Sequence, residues 1–284
     1  STGAAESIDR GFTLSAAGSG IRSANDLTFS GQVLSTGGTF RKQGAGNLTF
    51  THGGANTFGN GGQVMFVEAG TLTFDGTAGG QTNTVLGEMW VGNVLDVPAN
   101  LTVTNTSLTL SSWLAVGPGN GDAGVTNVNV TNSTLQTGGF STGYNNGQAN
   151  NASESFVTVT GSTWTNIGQI HIAESVNSTA TITIHKTPWT SNSNTADMSG
   201  GAGTTSTLNI TGNTEMKVDR FLMALGANSV ANVVIQDSGK LNKTGGSWMS
   251  IGNSNNGVGT MTVKDSGSLV NAAGDFNIGD VDTS

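Results

Sequence analysis

Trp248-Met249-Ser250-Ile251-Gly252, followed by Met261-Thr262-Val263-Lys264-Asp265-Ser266-Gly267, is the stretch that decides the fold. An earlier copy reads Phe221-Leu222-Met223-Ala224-Leu225-Gly226, then Val233-Val234-Ile235-Gln236-Asp237-Ser238-Gly239. Phe276-Asn277-Ile278-Gly279 begins another copy. A period of about 26 residues belongs to chains in which each unit is one coil of a stacked array. Stacking, rather than a closed core, then sets both fold and function.

Working toward the N-terminus, the same phrase recurs in shorter form. Asp26-Leu27-Thr28-Phe29, Asn47-Leu48-Thr49-Phe50 and Thr71-Leu72-Thr73-Phe74 are one word repeated. Leu101-Thr102-Val103-Thr104, Val128-Asn129-Val130-Thr131, Val157-Thr158-Val159-Thr160, Ile182-Thr183-Ile184 and Leu208-Asn209-Ile210-Thr211 continue it. Anchors fall roughly 21 to 29 residues apart. Strict apolar/polar alternation is the mark of a half-buried strand. Between the words lie Gly- and Asn-rich turns such as Gly53-Gly54-Ala55-Asn56 and Gly252-Asn253-Ser254-Asn255-Asn256-Gly257, which supply the positive φ of sharp corners. No window carries a helical period. Thr190–Thr205 lacks an inward pattern and is expected to be a surface loop inserted in one coil.

The expected fold is therefore all-β, a parallel β-helix (β-solenoid) of roughly ten coils, with strands paired in parallel along a rod about 50 Å long. Composition agrees. Charged residues make up 10% and Gly numbers 44 of 284 residues, yet the apolar residues recur in register, which argues for order. There is no Cys, so neither a disulfide nor a thiolate site is available. Ten Lys and Arg form no run and the net charge is −8, so a nucleic-acid groove is not expected. No apolar run reaches membrane length, so this segment is not expected to insert in a membrane. The final repeat is unfinished; its continuation is expected in further chain or in another subunit.

Residues 40–74 resemble the autotransporter-associated β-strand repeat of secreted bacterial passenger domains. The likeness is carried by Lys42-Gln43-Gly44-Ala45-Gly46, the strand Leu48-Thr49-Phe50, the corner Gly54-Ala55-Asn56-Thr57 and the second strand Gly70-Thr71-Leu72-Thr73-Phe74. Residues 221–279, and more loosely 86–210, are similar to repeats associated with type V secretion and PEP-CTERM surface proteins, through Ile251-Gly252-Asn253 and Gly257-Val258-Gly259-Thr260 ahead of a Thr-Val strand. The resemblance implies a right-handed solenoid that is secreted or on a bacterial surface, a hand that parallel crossovers also favour. It divides the chain into N-terminal coils at 1–80 and continuing solenoid repeats at 81–284, in one elongated domain.

Candidate chemistry is sparse. His171, Glu174, His185 and Lys186, or Lys217, Asp219 and Arg220, would have to build the site of a polysaccharide-degrading enzyme. None forms a catalytic motif, and solvated polar residues on the outer face are the favoured reading. Asn120-Gly121-Asp122 and Asp280-Val281-Asp282 are isolated fragments of a calcium turn, so neither a metal nor another cofactor is expected. Thr102, Thr104, Asn129, Thr131, Thr158, Thr160, Thr181, Thr183, Asn209 and Thr211 would line one outward face; Thr ladders can meet ice or a crystalline glycan, but Thr is also an ordinary exposed strand residue. Counted back from the corner Gly, Trp90, Trp113 and Trp248 point outward and Phe276 inward. Exposed Trp suits sugar stacking or subunit contact; the plainer reading has these rings covering coil corners.

The leading expectation is a non-catalytic extracellular structural protein, a rigid subunit of a surface filament, sheath or layer that self-associates end to end into a homopolymer. Phe276, Ile278 and Val281 of the last coil would dock on Phe12, Leu14 and Ile21 of an early one. The alternatives are a passenger-type adhesin that holds surface glycans through Trp90, Trp113 and Trp248, and a β-helix enzyme.

Overall fold

A computed structural model describes residues 5–15, 18–59, 61–94, 96–118, 123–144, 152–191, 195–271 and 273–279. Among them there is no helix. Three parallel sheets run the length of the molecule. The first has 11 strands, from Glu6–Ile8 to Val258–Val263. The second has 9 strands, from Ala55–Phe58 to Ser268–Asn271, and the third has 11, from Ser19–Arg22 to Phe276–Ile278. Each coil passes three faces in turn, and strands pair with the one three elements later, except that on the second face Phe12–Leu14 and Val33–Ser35 pair as a separate two-stranded sheet ahead of the nine-stranded one. The fold is a β-solenoid, and its first sheet counts eleven rungs against the roughly ten expected.

The repeated word is the first sheet. Leu72 pairs with Leu101, Leu101 with Val128, Val128 with Val157, Val157 with Ile182 and Ile182 with Leu208. Phe74, Val103, Val130, Val159, Ile184 and Ile210 form a parallel inner column; all are buried. Each such side chain contributes roughly 1.5–3 kcal/mol before conformational entropy is charged. The outward column Thr102, Asn129, Thr158, Thr183 and Asn209 is also in register. Its neighbour runs Thr104, Thr131, Thr160, His185 and Thr211, with His185 interrupting the hydroxyls. Several outward groups bond along the rod, as Asn209 Nδ2 does to Thr183 Oγ1 at 3.3 Å and Asn127 Nδ2 to Asn100 Oδ1 at 2.8 Å.

Corners repeat as faithfully as strands. After the third sheet, Gly117, Gly143, Ala173, Ser199, Ala224 and Gly252 all take positive φ, between 54° and 76°. The Gly of Ile251-Gly252-Asn253 is thus a left-handed corner residue, where a side chain is disfavoured. After the first sheet, Asn105, Asn132 and Lys186 turn the chain with φ near 50°. Just past this corner a buried hydroxyl of one coil accepts the backbone N–H of the coil before it: Thr106 N–H donates to Ser133 at 3.2 Å, Ser133 N–H to Ser162 at 3.0 Å, Ser162 N–H to Thr187 at 3.2 Å and Thr187 N–H to Thr214 at 3.1 Å. This hydroxyl ladder satisfies amides that the corner removes from the sheets.

One expectation changes. Thr190–Thr205 is not an inserted loop: Trp189–Ser191 is a second-sheet strand and Ala196–Met198 a third-sheet strand. Their inner positions include Ala196 and Met198, and the corners around them use Thr195, Ser199 and Thr204, all buried. Small and hydroxylated residues do not register as an apolar pattern. Trp164 and Trp189, on which the sequence reading was silent, lie inside the rod. Their rings stack 4.2 Å apart at 6°, with Phe140 edge-on 4.7 Å from Trp164.

Lys42 also points inward and is fully buried. Its ammonium donates to the carbonyls of Gly44 at 2.7 Å and Ala69 at 2.8 Å, closing the corner of two successive coils. Lys243 does the same at a second-sheet corner, donating to Gly245 O at 2.8 Å and to Ala273 O.

Candidate functional site

The outer face of the third sheet carries the chain's densest exposed chemistry. One outward column runs Arg41, Phe66, Trp90, Ala115, Ser141, His171 and Asp197. Aromatic residues at the first rungs give way to small ones at Ala115 and Ser141. The small residues leave a shallow bed, and Trp113 and Tyr144 fill it from the sides. Phe66 and Trp90 meet at 5.6 Å, Trp90 and Tyr144 at 5.6 Å, Tyr144 and Trp113 at 5.9 Å, and Trp113 and His171 at 5.7 Å. A continuous aromatic row therefore follows the rod axis.

Trp113 has a defined attitude. A Cβ placed on Gly139 would stand 2.6–2.7 Å from three atoms of its ring system, Cδ2, Cε2 and Cε3. Near-equal distances mean that the vector meets the ring face, so the indole lies flat on the strand at Gly139. His171 is nearly parallel to it, at 17°. Trp113, Trp90 and Tyr144 are half-buried, keeping part of their surface open to solvent.

Charges flank the row. Arg41 lies 4.1 Å above the Phe66 ring and pairs with Glu68. Trp90 Nε1–H donates to Glu88 Oε2 at 2.6 Å, and Ser141 Oγ–H donates to Glu174 Oε2 at 2.6 Å. At the far end Arg220 lies 3.4 Å from Asp197, whose other oxygen is 3.7 Å from His171 Nδ1. Burial pushes the Asp197 carboxyl up, against the pull of Arg220 and His171. Burial likewise pushes the Tyr144 phenol up, and Glu88 and Glu174 add to it.

Of the residues singled out in the sequence, Trp90 and Trp113 are joined through Tyr144. Trp248 stands apart, 41% exposed, on an outer position near the last rungs. Phe12, Leu14 and Ile21 belong to the first coil, where Leu14 is buried and Phe12 packs 5.1 Å from Phe29. Phe276 pairs with inward Met249 but is 41% exposed, and Ile278 is 74% exposed. Val281, Asp280 and Asp282 lie outside the described residues, as do Asn120, Gly121 and Asp122. His171 is on the third sheet, whereas His185 ends a first-sheet strand and Lys186 turns its corner, so the four-residue enzyme site is not assembled. Lys217 pairs with Glu215 at 3.3 Å, Arg220 with Asp197, and Asp219 accepts from Ser247 at 3.1 Å. Among the described residues no group of three or more His, Cys, Asp or Glu is placed to hold a metal.

Sequence reasoning passed over Phe66 and Tyr144. Phe66 precedes Trp90 and Trp113 by one and two coils, so its spacing was a readable signal. Tyr144, the chain's single Tyr, sits past a corner and follows no strand pattern.

A second concavity lies where the first sheet turns into the second. This groove of about 420 Å³ is lined by Gln81, Asn105, Ser107, Asn132, Thr134 and Thr163 among others, without a charged group.

Comparison with known proteins is consistent with a surface solenoid. The Adhesin BmaC autotransporter of Brucella suis biovar 1 (strain 1330) is 33% identical to this chain over 144 residues. The match covers 46% of this chain and 4% of that protein, so the chain spans a small fraction of its relative's length. No protein-family model matches the chain, and no solved structure does. The class defined so far is a β-solenoid similar in part to an autotransporter adhesin.

Proposed function

We propose that the chain is a stretch of a secreted or cell-surface adhesin-like passenger that contacts carbohydrate through the outer face of its third sheet. The observation that carries this reading is the aromatic row from Phe66 to His171, with Trp113 lying flat on Gly139. Flat indoles with one open face suit the apolar face of a pyranose ring. On the first sheet the outward residues are mostly Thr and Asn, several of which bond to one another along the sheet. The partial similarity to an autotransporter adhesin supports the same class of role. In this reading the solenoid is a non-catalytic stiff rod that presents the row.

End-to-end assembly into a filament has a weaker basis. Its support is the open apolar surface of Val263, Phe276 and Ile278 on the last described coils, which a following coil or a second copy would cover alike. Carbohydrate contact is therefore placed first.

A glycan array probed with the natural chain and with a Trp90→Ala/Trp113→Ala variant tests the proposal. Binding of a defined set of saccharides that disappears in the variant, while the β-sheet circular dichroism is kept, is the expected result. No saccharide bound, or equal binding by the variant, rejects it.

A further inference from the structure

Resting on the carbohydrate reading above, we infer that the saccharide held by this row carries a free amine: an amino sugar in its protonated, un-acetylated form. The centre of the row, where Trp90, Tyr144 and Trp113 meet, is flanked by two carboxylates without a cationic partner. Glu88 accepts the indole N–H of Trp90, and Glu174 accepts the hydroxyl of Ser141. Both contacts come from neutral donors, so neither charge is neutralised. All ten Lys and Arg of the chain lie among the described residues. Their close ion pairs use Glu68, Asp197, Glu215 and Asp265 instead. The fields of Glu88 and Glu174 converge on Tyr144, where both oppose ionisation of its phenol.

Aromatic faces are themselves attractive to cations, through the negative face of the ring quadrupole. The protein already shows this at one end of the row, where Arg41 sits over Phe66 and is balanced by Glu68. At the centre the same pairing of ring and carboxylate is present without the cation. An ammonium on a pyranose would complete it, with the sugar ring on Trp113 and the amine toward the carboxylates. An acidic saccharide would meet repulsion, and a neutral one would leave both charges unmatched.

The test is calorimetric titration with a glucosamine hexamer, an N-acetylglucosamine hexamer and a hexalysine peptide, at low and at physiological salt. The variants are Glu88→Gln/Glu174→Gln and Trp113→Ala. Gln keeps an acceptor for Trp90 and Ser141, so the row stays ordered while the charge is lost. The expected result is that the glucosamine oligomer binds at least about tenfold tighter than its acetylated counterpart. The preference shrinks in the Gln variant and with salt, and Trp113→Ala weakens both sugars. Equal binding of the two hexamers, lost in Trp113→Ala, overturns the amine inference and leaves the carbohydrate reading standing. Hexalysine bound as tightly as the glucosamine oligomer makes the ligand a generic polycation and overturns it too. Failure of both hexamers overturns the inference, and the array then decides the broader reading by itself.

Discussion

Replacing Trp164 with alanine should cost the rod about 3–5 kcal/mol. The side chain is 1% exposed and lies between Phe140 and Trp189, stacked on the latter at 4.2 Å. A Trp buries roughly 150–250 Å², which at about 25 cal/mol/Å² is about 4–6 kcal/mol as an upper bound. The stacked and edge-on contacts add about 0.5–1.5 kcal/mol each. Partial collapse of the cavity recovers some of this, whereas the indole N–H bond to Thr137 Oγ1 at 3.2 Å is lost. Thr137 still donates to Asn166 Oδ1 at 2.7 Å, so no buried hydroxyl is orphaned. Urea unfolding followed by far-ultraviolet circular dichroism measures the change. A second readout is the near-ultraviolet circular dichroism of the rigidly held indoles, which should weaken in Trp164→Ala and Trp189→Ala alike. A loss below about 1 kcal/mol, or an unchanged near-ultraviolet signal, would refute the placement of these two rings inside the rod.

Other outcomes follow from particular contacts. Gly139→Val should displace Trp113, because its Cβ would sit 2.6 Å from the indole; saccharide binding should fall by tenfold or more on the scale of about 1.4 kcal/mol per decade, with a melting temperature shifted by only a few degrees. Lys42 is buried and its pKa is pushed down from 10.5 to about 8. Above pH 8 the unfolded chain holds more protons at this site than the folded one, so stability should rise from pH 8 to about 10.5, by up to about 3 kcal/mol. Lys42→Met should flatten that rise in pH-dependent unfolding. Asn83→Ala should cost about 1–3 kcal/mol, since it leaves Asn56 Nδ2, which donates to Asn83 at 3.1 Å, without an acceptor in the core.

The first sheet was legible from Leu27–Phe29 onward because its strands alternate large apolar with polar residues over several positions, as in Leu101-Thr102-Val103-Thr104 and Leu208-Asn209-Ile210-Thr211; its first strand, Glu6–Ile8, carries no such word. The second and third sheets were less so. Their strands are mostly three or four residues long, and inner positions such as Ala196 and Asn83 are not large and apolar. Buried Asn83 and Lys42 read as surface residues until the corner carbonyls and neighbouring amides that satisfy them are seen. The candidate site was half legible. Outward Trp90 and Trp113 follow from counting back from the corner glycines, but their contact runs through Tyr144, which alternation cannot place. Trp248 obeys the same count and joins nothing in the row, because the rungs between it and Trp113 carry Gly139, Gln169, Thr195 and Arg220 at its position.

The most direct measurement is oxidative footprinting of the five tryptophans by mass spectrometry, with and without the glucosamine hexamer. In the free protein Trp248, Trp90 and Trp113 should react, and Trp164 and Trp189 should not. With the saccharide bound, Trp90 and Trp113 should be protected and Trp248 left as reactive as before. Bound saccharide that protects Trp248, or that leaves Trp90 and Trp113 fully reactive, contradicts the assignment of the third-sheet face as the contact surface.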